Sequence, residues 1–81
     1  MKTIAIAICI FQNKKTKAYK WLSLESVDGG SDRYLYESGA DTVDPPSQKP
    51  SDATSRPATL VEYESSVNRV SQDGYDIVTR R

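Results

Sequence analysis

Few side chains in this sequence could support catalysis near neutral pH, and none of its 81 residues is a histidine, the usual proton carrier at that pH. The one cysteine, Cys9, lies among alanines and isoleucines, where no base is placed to lower its pKa. The acidic pairs Glu62/Glu64 and Asp73/Asp76 do not converge by spacing. One thiol without histidine is also a poor zinc ligand set. We therefore expect no enzyme activity, no cofactor and no metal site.

A basic segment near the N-terminus adjoins aromatic residues. Residues 1–20 contain five lysines and no acid, although the formal charge of the whole chain is zero. Because zero net charge disfavours a general polyanion binder, we expect Lys14, Lys15 and Lys17 to steer an acidic protein partner. Weak binding of single-stranded nucleic acid is an alternative, since Tyr19 and Trp21 could stack on bases.

Aromatic residues supply the candidate anchors of a binding surface. Tyrosine and tryptophan are enriched at interfaces, where one end of the side chain is dry and the other wet. We therefore expect Trp21, Tyr34 and Tyr36 to anchor a protein partner of unknown identity. The leading hypothesis is a non-catalytic protein-binding module, such as a small inhibitor, adaptor or assembly factor, that acts through a preformed surface.

A second hypothesis is sequestration of a small ligand or nucleotide by a homo-oligomer. In that case, an anion would lie against Lys17, Arg33 and Arg69. A homodimer is a reasonable expectation in either case, because a chain of 81 residues with one cysteine has a small core and no internal disulfide.

The elements that position these residues begin with a strand. Its residues alternate strictly, and strict alternation predicts a half-buried strand with one large apolar face: Ile4, Ile6, Ile8 and Ile10. A polar loop then leads into a second strand over 17–26. The glycine-rich turn at 28–32 precedes a short third strand over 33–37.

The second half of the chain predicts a loop, a helix and a final strand. Residues 38–56 hold most of the prolines and few large apolar residues, so we expect a flexible loop. Thr59 and Glu62 form a capping-box pattern at the start of a helix, and Gly74 is placed to end it before a strand over 75–79. The helix carries one apolar stripe: Leu60, Tyr63, Val67 and Val70. The prediction is a single α+β domain over 1–81: a small antiparallel sheet in the order β-β-β-α-β, one helix packed on one face, and a long proline-containing loop between the third strand and the helix.

The N-terminal apolar run does not predict a secretory leader. It alternates isoleucine with smaller residues, and no small-x-small pair follows it where cleavage would need one. The sequence also lacks the ~20 consecutive apolar residues that cross a bilayer. With a single thiol, we expect a cytoplasmic protein that does not contact the membrane.

Overall fold

The computed structural model describes residues 2–39 and 43–81. Within them, five strands and one helix follow the order β-β-β-β-α-β. Their bounds are β1 Thr3–Asn13, β2 Tyr19–Val27, β3 Arg33–Glu37, β4 Thr54–Pro57, α1 Leu60–Gln72 and β5 Tyr75–Arg80. The strands form one antiparallel sheet in the order β4-β3-β2-β1-β5. The predicted α+β fold is confirmed, with one strand more than expected.

The additional strand, β4, lies where the sequence predicted loop. Residues 54–56 were expected to close the flexible segment 38–56, but they pair with β3 along its outer edge. The sequence Thr-Ser-Arg-Pro has no apolar alternation, so the strand depends on the hydrogen-bonding groups that β3 offers. Between residues 43 and 53 the chain forms neither helix nor strand. Residues 40–42 of the predicted loop lie outside the described part of the chain.

The helix begins and ends where the sequence predicted. The side chain of Thr59 accepts a hydrogen bond from the backbone of Glu62, and the Glu62 carboxylate accepts one from the backbone of Thr59, which confirms the capping box. Gly74 follows the helix with a φ of +98°. Leu60 is 47% exposed, so the buried stripe begins one turn later than expected, at Tyr63. Across residues 2–39 and 43–81, no helix is long and apolar enough to cross a membrane.

The core lies between α1 and one face of the sheet. The helix contributes the buried residues Tyr63, Val67 and Val70. The sheet contributes its own buried side chains from three neighbouring strands: Cys9, Phe11, Leu22, Leu24 and Leu35. We call this the helix face of the sheet and its reverse the second face.

The prediction that the four isoleucines share one face is wrong, because β1 contains a β-bulge. Directly paired residues of an antiparallel ladder share a face of the sheet. Ile4 pairs with Ser26 whereas Ile8 pairs with Ser23, and the ladder shifts register between Ala5 and Ala7. Positions 23 and 26 of one strand point to opposite faces, because side chains alternate along a strand. Ile4 and Ile8 therefore lie on opposite faces, and the four isoleucines do not form one surface.

Candidate functional site

The three predicted aromatic anchors lie together on the second face. In the β2–β3 ladder, Ser23 pairs with Tyr36 and Glu25 with Tyr34, while Trp21 shares the alternation of Ser23 and Glu25. The two tyrosines are half-buried, but Trp21 is only 4% exposed. Trp21 therefore lacks the accessibility that an anchor in a preformed surface needs, and this part of the prediction is corrected.

A buried polar network holds this face together. The indole Nε1 of Trp21 donates to Ser23 Oγ at 3.0 Å, and Ser23 Oγ donates to Glu25 Oε2 at 2.9 Å. The other oxygen of Glu25 accepts from the Thr3 hydroxyl and from Lys49 Nζ, the latter at 3.0 Å. Burial by itself would raise the pKa of Glu25, but the hydrogen bonds from Thr3, Lys49 and Ser23 hold that pKa below its usual value.

Lys49 fastens the segment 43–53 onto the second face. Its ammonium group lies 3.8 Å from the centroid of the Tyr36 ring, besides its ion pair with Glu25. A cation above an aromatic face is attracted by the negative centre of the ring. Ser23 is fully buried below this segment. The serine–glutamate–lysine set therefore stabilises the fold and offers no substrate access to the serine hydroxyl.

The three lysines that were predicted to steer a partner lie in the connection between β1 and β2: Lys14, Lys15 and Lys17. All three are exposed. Lys14 Nζ lies 3.6 Å from the Asp76 carboxylate at the start of β5. Tyr34 pairs with Glu25, which lies six residues along β2 from Tyr19, a span of about 20 Å at the usual rise per residue. Lys14 therefore borders β5, and Tyr34 lies at the far end of β2 from the three lysines.

A basic cluster that the sequence did not predict surrounds Glu37 on the helix face. Lys20 Nζ lies 3.0 Å from the Glu37 carboxylate, Arg69 lies 3.7 Å from it and Arg56 lies 3.9 Å from it. Arg69 was expected to meet Arg33 and Lys17 around an anion. Arg33 begins β3 whereas Glu37 ends it, so the structure brings Arg69 to the end of β3 farther from Arg33. The cluster joins residues from β2, β3, β4 and α1, and spacing along the chain carries no signal for such a grouping.

Exposed apolar side chains collect along one side of the sheet. We call the apolar edge the side chains of Ile4 and Ile6 in β1 and of Ile77 and Val78 in the edge strand β5, which are 49%, 42%, 42% and 51% exposed. The pairing of β1 with β5 begins at Cys9, so Ile4 and Ile6 lie beyond it. Edge strands usually carry charges, prolines or bulges that prevent further pairing. The β1–β5 ladder shifts register at Val78, and β5 carries the charged residues Asp76 and Arg80, but the four apolar side chains remain exposed.

The Cys9 thiol and the Tyr63 hydroxyl are enclosed in the core. Cys9 is fully buried, and burial raises the pKa of its thiol. Burial likewise raises the pKa of the Tyr63 hydroxyl to about 12. In the part of the chain that the structure describes, no three side chains of the histidine, cysteine, aspartate or glutamate types lie close enough to hold a metal ion.

Comparisons of this chain with known proteins found no similar protein. No family model matches the chain, and neither a curated protein nor a solved structure matches it. The apolar edge, the basic cluster and the covered second face are thus the features from which a function can be argued.

Proposed function

We propose that this chain is a non-catalytic protein-binding module of the cytoplasm that pairs the apolar edge with an extended segment of a partner protein. The observation that carries the proposal is the exposure of Ile77 and Val78 on an edge strand, with Ile4 and Ile6 exposed farther along the neighbouring strand β1. Adding a strand to an open sheet edge is a recurrent mode of peptide recognition. An inhibitor, adaptor or assembly factor could act in this way without chemistry. A cytoplasmic setting suits a chain with a single cysteine.

The edge offers two kinds of interaction. The outer backbone groups of an edge strand can continue the hydrogen-bonded ladder. The four apolar side chains are about half exposed, and burying the remaining half of each contributes roughly 1 kcal/mol. The apolar contribution of about 4 kcal/mol corresponds to a millimolar Kd by itself. Tighter binding therefore requires backbone pairing or further contacts.

The steering role proposed for the lysines fits the apolar edge better than it fits the second face, which carries Tyr34 and Tyr36. Lys14 reaches Asp76 on β5, and the backbone N–H of Lys14 donates to the carbonyl of Gly74 directly before that strand. A partner strand lying along β5 would pass beside Lys14 and Lys15. An acidic group flanking the apolar segment of the partner would be attracted there, which raises the association rate and makes it salt-dependent.

The proposal is tested with lysine substitutions on the edge and a matched substitution elsewhere. Ile6→Lys and Val78→Lys place a charge on the edge, whereas Val61→Lys places the same charge on the helix surface at a residue that is 75% exposed. The tagged wild type and each variant are used for affinity purification from the native host. We expect a stoichiometric partner with the wild type and Val61→Lys, and at least tenfold less of it with the edge variants.

Two results would contradict the proposal or redirect it. Equal recovery of the partner by all four proteins would exclude the apolar edge as its binding surface. Light scattering of the purified protein tests self-association separately. A wild-type dimer that becomes a monomer in Val78→Lys but not in Val61→Lys would assign the edge to a second copy of the chain.

A further inference from the structure

The basic cluster contains more positive than negative charge. Three cationic side chains approach the single carboxylate of Glu37: Lys20, Arg56 and Arg69. Lys20 makes the closest approach, at 3.0 Å, and both partners of that pair are about 20% exposed. Lys20 alone balances the charge of that carboxylate, so the cluster carries a formal excess of two positive charges.

Both guanidinium groups approach the Glu37 carboxylate, and both side chains are more than half exposed. Arg69 Nη2 and Arg56 Nη1 lie 3.7 and 3.9 Å from the carboxylate, beyond hydrogen-bonding distance. Their side chains are 56% and 53% exposed. Arg56 has one further contact, at 3.5 Å, with the Ser66 hydroxyl of α1. Each guanidinium carries five N–H donors, which is more than the contacts named above engage.

From this geometry we infer that Arg56 and Arg69 form a binding site for the phosphate group of a small molecule. A phosphate presents several oxygen atoms to planar guanidinium forks, and arginine is the residue best suited to such paired hydrogen bonds. Two like charges near one carboxylate that Lys20 already neutralises would gain from a bridging dianion. The site lies on β4 and α1 and is separate from the apolar edge, so it does not depend on the proposed function.

Glu37 has a positioning role in this site. Its carboxylate draws both guanidinium groups toward the end of β3, but it also repels an arriving anion. Removing its charge while keeping its shape should therefore strengthen phosphate binding. If the cluster merely tied the helix to the sheet, no phosphate would bind, and the same change would alter stability alone. The sign of the Glu37→Gln effect on binding thus distinguishes the two roles.

The test is a titration of the ¹⁵N-labelled protein with inorganic phosphate and with adenosine monophosphate at constant ionic strength, followed by NMR. We expect shifts confined to residues near the cluster and a Kd on the order of 1 mM, which corresponds to about 4 kcal/mol. Arg56→Gln and Arg69→Gln should each weaken binding about fivefold or more, and Glu37→Gln should strengthen it severalfold. Both arginines are more than half exposed, so these variants should keep the wild-type fold.

Arg33→Gln is the matched control, because Arg33 is an exposed arginine at the opposite end of β3 from Glu37. It should leave the affinity unchanged. The absence of shifts at about 20 mM phosphate, well above the expected Kd, would overturn the inference, and so would equal weakening by Arg33→Gln and Arg56→Gln. Tighter binding of the nucleotide than of phosphate would support the site and add a contact to the rest of the molecule. Equal affinities would support recognition of the phosphate group alone.

Discussion

Replacing Lys49 with methionine should detach segment 43–53 from the second face of the sheet. Methionine keeps most of the apolar stem and removes the ammonium group. That group makes an ion pair with the buried carboxylate of Glu25 and lies above the ring of Tyr36. In the variant, Glu25 keeps its hydrogen bonds from Thr3 and Ser23 but loses its ion pair with Lys49.

The expected cost follows from those two contacts. A hydrogen bond to a charged group contributes about 1.5–3 kcal/mol, and a cation–π contact contributes about 0.5–1 kcal/mol at a partly exposed site. Since the Lys49 side chain is 33% exposed, the lower end of each range applies. We therefore expect a loss of about 2 kcal/mol, a large fraction of the roughly 4–12 kcal/mol typical for a domain of this length.

Urea unfolding at pH 7, followed by the fluorescence of Trp21, measures this loss. With a slope of about 1 kcal/mol per molar urea, the midpoint should fall by roughly 2 M. A double-mutant cycle with Glu25→Gln separates the ion pair from the ring contact, and we expect a coupling of about 1 kcal/mol or more. A Lys49→Met variant within about 0.5 kcal/mol of the wild type, the usual range for uninvolved surface positions, would refute the account of Lys49 as the fastening residue.

Two further predictions concern buried polar groups. Because the folded pKa of Glu25 is lowered from its usual value of 4.5, its stabilising contribution is complete above that value and is lost as the pH falls through the folded pKa. The stability difference between the wild type and Glu25→Gln, measured by urea unfolding, should therefore be constant near neutrality and shrink as the pH falls into the acid range. A difference that stays constant for as long as the wild type remains folded in acid would contradict this prediction. Tyr63 is 1% exposed, and its hydroxyl has no hydrogen-bond partner among the described residues, so Tyr63→Phe should keep or raise stability by up to about 1 kcal/mol in a thermal melt. A loss of similar size would show that the hydroxyl is bonded.

Local signals in the sequence predicted most of the fold. The capping box at Thr59 and the glycine at position 74 fixed the ends of the helix because they act within one turn. The bulge in β1 was missed because alternation of residue types cannot show an inserted position. Strand β4 was missed because its pairing with β3 arises from a sheet edge, and Thr54–Pro57 carries no pattern of its own.

The sites were harder to predict than the fold because they depend on contacts between distant segments. Alternation correctly placed Trp21 on one face of β2. Segment 43–53 covers that face because Lys49 pairs with Glu25, and these two residues are 24 positions apart in the sequence. The basic cluster likewise depends on the position of α1 over the sheet, which brings Arg69 of the helix and Arg56 of β4 to one carboxylate.

Because of its bulge, β1 could lose one residue without a change in its pairing with β2. Ala5 pairs with Glu25 and Ala7 with Leu24, so Ile6 is the one position between them without a rung of its own in the ladder with β2. A chain lacking Ile6 would keep every other rung between these two strands and every side chain on its present face. Deletion inside a sheet normally inverts all positions on one side of it. Here the loss of one codon in the middle of β1 would not exchange the side chains between the two faces of the sheet.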